Sequence, residues 1–98
     1  MKQIERNIHE MTDAEELDLI GQRYANSGNY VVAMKAWLRA AELGNKEVRP
    51  RIATIFFRGC WSKGNVDYQK AIKLIRQWRE EGDEEVIKAL ELQMKLRY

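Results

Sequence analysis

The stretch GNYVVAMKAWLRAAELGN, residues 28–45, opens and closes on a glycine–asparagine pair and carries an apolar run at helical spacing between them. It is long enough for one amphipathic helix and far too short to fold alone, so the apolar face bearing Trp37 must pack on another helix. The punctuation recurs: GNKEV at 44 returns as GDEEV at 82, a displacement of 38 that also relates Ala33 to Ala71 and Trp37 to Ile75. Ile20, Gly21 and Tyr24 map onto Ile52, Ala53 and Phe56 at a displacement of 32, and the difference of 6 is an insertion in the loop GCWSKGNV. The chain therefore repeats a helix pair of about 34 residues.

Four glycines, at 28, 44, 59 and 82, fall just after an apolar-periodic segment, where a helix C-cap calls for a residue tolerant of positive φ. The periodicity predicts helices over 2–10, 13–26, 28–45, 46–58, 67–81 and 84–98, and no alternating strand. Thr12 and Glu15 fit a capping box at the start of the second helix, whose stripe is Leu17, Ile20, Gly21 and Tyr24. The third has Tyr30, Ala33, Met34, Trp37, Ala40 and Ala41 on one side and Lys35, Arg39 and Glu42 on the other. Pro50 belongs in a first turn, so the fourth helix starts effectively near Arg49. Tyr68, Ala71, Ile72, Leu74, Ile75 and Trp78 face inward on the fifth, and Val86, Leu90 and Met94 on the sixth, with Lys88, Glu91, Lys95 and Arg97 outward.

Leu17, Ile20, Gly21, Tyr24, Ala33, Trp37 and Ala40 fall at the spacing of the tetratricopeptide signature, and residues 14–47 resemble one such repeat. In residues 48–83, IATIFFRG, VDYQKAIKLI and GD resemble the related Sel-like repeat, although Ala53 replaces its glycine, Phe56 its tyrosine, and Trp78 stands where a small residue is usual. The expected fold is thus all-α: one domain over 1–98, a short right-handed α-solenoid. It comprises an N-terminal helix (1–12), two repeats (14–47 and 48–83) and a capping helix (84–98). Gly21 and Ala33 let the paired helices approach, while Trp37 packs back on Leu17, Ile20 and Tyr24 and forward on Ile52 and Phe56.

The resemblance also implies a concave groove lined by first-helix residues. By position these are Glu15, Asp18, Gln22, Ala25 and Asn26, then Glu47, Pro50, Thr54, Phe57 and Arg58, and on the capping helix Glu85, Lys88, Leu92, Lys95 and Leu96. Phe57, whose neighbour Phe56 serves the core, is either the main apolar anchor or buried by the sixth helix, and Trp61 either plugs the inserted loop onto the core or is a second anchor. Asp18 and Gln22 stand where some family members use Lys and Asn to grip a C-terminal carboxylate, so that clamp is not expected. The function implied is that of a small adaptor or chaperone-like module binding a peptide or helix of another protein. A homo-oligomer is a variant of this reading, and the repeat type suggests a bacterial accessory protein.

Composition agrees with a soluble globular chain: 45% hydrophobic, 33% charged and a net charge of +2. No apolar run approaches membrane-spanning length, the N-terminus lacks a signal-peptide core, and a single cysteine makes no disulfide framework, which together favour the cytoplasm. Cys60 beside Trp61 and Lys63 invites a thiol reading, but a small half-buried residue is the simpler one. His9 has no catalytic or ligand partner at a suitable spacing, and no phosphate loop or metal cluster stands out. No enzyme, cofactor or metal is therefore expected. Charge is lopsided: residues 1–18 carry two bases against six acids, and residues 46–79 carry nine bases against two acids. The basic middle, with Arg49, Arg51, Arg58, Lys63, Lys70, Lys73, Arg76 and Arg79, makes a nucleic-acid surface the alternative function. A solvated basic face is the plainer account, since no recognition helix or base-stacking motif accompanies it.

Overall fold

A computed structural model describes the backbone of residues 2–59, 61, 62 and 64–97, so the readings of Cys60 and Lys63 fall outside the described residues. The described chain is all-helical: α1 (Lys2–Glu10), α2 (Ala14–Asn26), α3 (Tyr30–Glu42), α4 (Val48–Arg58), α5 (Val66–Glu80) and α6 (Glu84–Arg97).

Two glycine–asparagine pairs and one glycine–aspartate pair explain three of these boundaries. Gly28, Gly44 and Gly82 have φ of 86°, 96° and 81°, and the residue after each glycine donates its N–H to a carbonyl of the last turn. Asn29, Asn45 and Asp83 donate in this way to Tyr24, Ala40 and Trp78, closing three helices with the same Schellman-type pattern. The same three side chains then start the next segment, accepting from the N–H groups of Val32 at 3.2 Å, Glu47 at 2.8 Å and Val86 at 3.3 Å. At Gly28–Asn29 and Gly82–Asp83 one dipeptide thus ends a helix and begins its successor, whereas Asn45 turns the chain just ahead of α4. Gly59 departs from the expected pattern, because its φ is not positive. What the glycine there makes room for is the Trp61 indole, which a Cβ would meet at 2.8 Å. The cap of α2 also differs from expectation: Asp13, not Thr12, accepts from the N–H groups of Glu15 and Glu16. A carboxylate facing the exposed N–H groups of a first turn is favoured by the helix dipole as well.

The contacts divide the chain into two compact units, residues 1–48 and 49–98. In the first, α3 packs on both α1 and α2. Its burial runs round most of the helix, since Val32, Ala36 and Leu38 are as buried as the expected Ala33, Met34, Trp37 and Ala40. Tyr30 and Ala41 are only half-buried. From α1, Ile8 is buried, and the Met11 carbonyl beyond its C-terminus accepts from Arg39 Nε at 3.0 Å. Leu17 and Gly21 of α2 are fully buried, while Ile20 and Tyr24 lie at the edge.

Trp37 is 4% exposed and fixes the approach of α2 and α3. A Cβ added to Gly21 would overlap the Nε1, Cδ1 and Cε2 atoms of the indole, so the ring occupies the space that any other residue would fill. Its Nε1 donates to Asp18 Oδ1 at 3.0 Å and, more weakly, to the Asp18 carbonyl at 3.3 Å. Placing an indole in a core contributes several kcal/mol, about 3–5 on truncation to alanine, provided its N–H is satisfied.

In the second unit a tryptophan is held differently. Trp78 of α5 is buried, and the Arg49 guanidinium lies 4.9 Å from its ring centroid. Arg49 Nη1 also reaches Asp83 Oδ2 at 3.2 Å and Glu81 Oε2 at 3.4 Å, so one side chain ties the start of α4 to the α5–α6 junction. At the other end of α4, Phe56 stacks on Tyr68 of α5 with centroids 4.8 Å apart. These two contacts at opposite ends make α4 and α5 an antiparallel pair. α6 buries Val86 and Gln93, whereas Met94, expected to point inward, is 53% exposed. Gln93 lies seven residues after Val86, two helical turns on, and so shares its face; Met94 is rotated about 100° further round.

Candidate functional site: an aromatic hollow at the α4–α5 turn

Where α4 ends and α5 begins, Phe56, Phe57, Gly59, Trp61, Ser62, Gly64, Tyr68 and Gln69 line an open hollow of about 420 Å³. Its four aromatic residues are ordered by local contacts. Phe56 and Phe57 meet edge to face at 5.4 Å, Phe56 stacks on Tyr68, and Trp61 leans over Tyr68 at 6.3 Å. Trp61 Nε1 donates to the Phe56 carbonyl at 3.1 Å. That carbonyl belongs to the last turn of α4, where intrahelical donors run out, so the indole both caps the helix and is aimed by it. Asn65 accepts from the Tyr68 N–H at 3.0 Å, setting the first turn of α5 and with it the tyrosine ring.

All four rings are half-buried, seated firmly enough to be ordered and open enough to touch a ligand. Rigid aromatic surface with few rotatable bonds is the material from which binding hot spots are built. Among the described residues the polar side chains in the lining are the Ser62 hydroxyl, the Gln69 amide and the Tyr68 hydroxyl, which donate and accept hydrogen bonds but supply no nucleophile–base pair. Among the described residues no group of three or more His, Cys, Asp or Glu is placed to hold a metal ion, and no helix is long and apolar enough to cross a membrane.

The residues expected to bind a partner are distributed over both units. In the first, Asp18 is 7% exposed and its carboxylate accepts from Trp37, Gln22 is half-buried, and Asn26 is exposed. In the second, Phe57 and Trp61 come together in the hollow. Thr54 is half-buried and donates its hydroxyl to the Pro50 carbonyl at 2.9 Å, the usual back-bond to the residue one turn earlier. Arg58, Lys88 and Lys95 are exposed, as is Leu92 at 54%. Phe56, expected in the core, is half-buried and shares the hollow, as does Tyr68, expected to face inward. Their place there follows from the turn geometry, which periodicity does not encode.

A second open hollow, in the first unit, is lined by the start of α2 and by residues 43–47 after α3, and includes Asp18 and two exposed leucines, Leu19 and Leu43. Its lining lacks aromatic residues among those described. Comparison with known proteins gives no match: no family model, no curated protein and no solved structure aligns significantly with the chain.

Proposed function

We propose that the protein is an interaction module, a small cytoplasmic adaptor or chaperone-like protein that binds a peptide or helix of another protein. The observation that carries this reading is the aromatic hollow, in which Phe57 and Trp61 present half-exposed rings already fixed by neighbours. Preorganised rings lower the ordering cost that binding must overcome. The repeated helix pair, its repeated glycine–asparagine closures and the tetratricopeptide-like spacing support a solenoid of two repeats with an N-terminal helix and a capping helix. On that arrangement Asn26, Gln22, Arg58, Lys88 and Lys95 select the ligand by charge and hydrogen bonding, and Asp18 acts chiefly through Trp37.

The test is an affinity pull-down with wild type beside Phe57→Ala and Trp61→Ala, followed by titration of the recovered protein in purified form. Each substitution is expected to weaken binding about tenfold or more, the effect of losing a central aromatic. Equal recovery and equal affinity for all three chains would remove the hollow as the site. A nucleic-acid reading keeps one observation in its favour: Lys73, Arg76 and Arg79 are all exposed along α5. A steep loss of affinity for single- or double-stranded nucleic acid between about 50 and 200 mM salt would support it.

A further inference from the structure

The aromatic hollow continues into a charged strip along α5. Gln69 lines the hollow, and Lys73 and Arg76 stand one and two turns further along the same face of that helix. Both cations are exposed, and among the described residues neither has an ion-pair partner. Asp67 lies about 160° round the helix from Gln69, off this face, at 3.6 residues per turn. Glu80, one turn past Arg76, closes the strip. The described lining of the hollow itself contains no carboxylate. The surface therefore runs from half-buried rings to two cations and stops at an acid.

Resting on the peptide-binding role proposed for the hollow, we infer that its ligand is an extended acidic segment of a partner protein. One bulky apolar side chain enters the hollow, and two acidic side chains on one side of it follow α5 to Lys73 and Arg76. The spacing agrees. At 1.5 Å per residue the two cations stand about 6 and 10 Å beyond Gln69 along the helix axis. In an extended chain, residues two and four from the anchor share its side and lie about 7 and 13 Å away, within reach of the two long side chains. Charge complementarity selects acids at those positions. A nucleic-acid strand fits less well. Phe56 and Tyr68 give a ring face to each other, stacked 4.8 Å apart, and Trp61 leans over Tyr68, whereas stacked bases need open faces. A strand also carries a charge at every nucleotide, and Glu80 would repel the phosphates beyond Arg76. A peptide has no such obligation to continue its charge.

The experiment is selection by the full chain from a library of random octapeptides with both termini blocked. The selected sequences are then synthesised with a fluorescent label and titrated by anisotropy. Wild type is expected to enrich Asp or Glu at the second and fourth positions from a bulky apolar residue. Trp61→Ala is expected to weaken the selected peptides tenfold or more. Lys73→Glu combined with Arg76→Glu is expected to weaken them about tenfold and to shift selection toward Lys and Arg at the same two positions. Its circular dichroism spectrum should match wild type, since both side chains are exposed. Peptides that depend on Trp61 but show no acidic preference, or that ignore the double reversal, overturn this inference and leave the role of the hollow standing. So does a chain that selects no peptide, whether or not it binds labelled oligothymidylate. Selected peptides that keep their affinity for Trp61→Ala overturn both the inference and the hollow as the site.

Discussion

Two tryptophans in this chain are seated on glycines, one in each unit, and both use the same spacing. Asp18 precedes Gly21 by three residues and Phe56 precedes Gly59 by three. In each case the indole lies against the glycine and gives its N–H to the earlier residue. The geometry follows from the helix. Residues i and i+3 share a face about one turn apart, so a ring resting where i+3 lacks a Cβ brings its N–H to an acceptor at i. What differs is where the ring comes from. Trp37 arrives from another helix and is buried, so the seat joins α2 to α3. Trp61 arrives from the turn directly after the same helix and is half-exposed, so the seat ends α4 and shapes a surface hollow. One local device serves as a core fastening in the first unit and as a way of presenting a ring to solvent in the second.

Gly21→Ala tests the fastening most severely. Alanine gains about 1 kcal/mol in helix propensity over glycine, yet its Cβ would overlap a rigid ring already anchored by Asp18. The expected net result is a loss of about 2–3 kcal/mol in urea denaturation, from overpacking. In a Trp37→Leu background the same change should lose its penalty or become stabilising, because the clash has gone. A penalty that persists there would show that something other than the indole requires Gly21.

The two seats also differ in how far they could be read from the sequence. Gly21 was expected to let its helix pair approach closely, but the ring it seats is Trp37, whose expected partners on that helix were Leu17, Ile20 and Tyr24. The use of Asp18 was not legible, because a carboxylate at a groove position looks like a ligand-binding group until the indole N–H is found pointing at it. Gly59 looks like a helix terminator, and only the turn geometry turns it into a seat for Trp61. The helix boundaries were legible: a glycine with positive φ followed by Asn or Asp is a local instruction. Thr12 and Asp13 stand adjacent, and both can cap a helix, so pattern alone favoured the wrong one. Met94 was misassigned because the inward place beside it is taken by the Gln93 amide, which breaks the apolar rule that periodicity depends on.

The acceptors provide a second contrast. Asp18→Ala should cost about 1–3 kcal/mol, since it removes the better of two acceptors from a buried indole N–H. Asp18→Asn keeps an oxygen at the same place and should recover most of the loss. The Trp37 indole proton is expected to shift strongly in the NMR spectrum of the first variant and weakly in that of the second. Equal effects from both would mean that the charge, and not the hydrogen bond, matters at Asp18. Gly59→Ala should be milder than either Gly21→Ala or Asp18→Ala, within about 1 kcal/mol. Its Cβ would meet Trp61 at 2.8 Å, but that ring stands on a turn and can give way, moving the Trp61 indole resonance with little change in the melting temperature.

Trp61→Phe separates the two jobs of the second seat. Phenylalanine keeps an aromatic face over Tyr68 but cannot donate to the Phe56 carbonyl, so it removes the cap and retains most of the hollow. The expected stability loss is about 0.5–1.5 kcal/mol, the net value of one hydrogen bond. Amide exchange should accelerate mainly in the last turn of α4, whose Phe56 carbonyl loses the indole donor. If the hollow binds through ring surface, Trp61→Phe should weaken a partner far less than Trp61→Ala does. If the two variants bind equally poorly, the orientation imposed by the N–H contact is what the partner reads. The cap and the site are then a single feature of the fold, because the helix end that needs a donor is also what holds the ring in place.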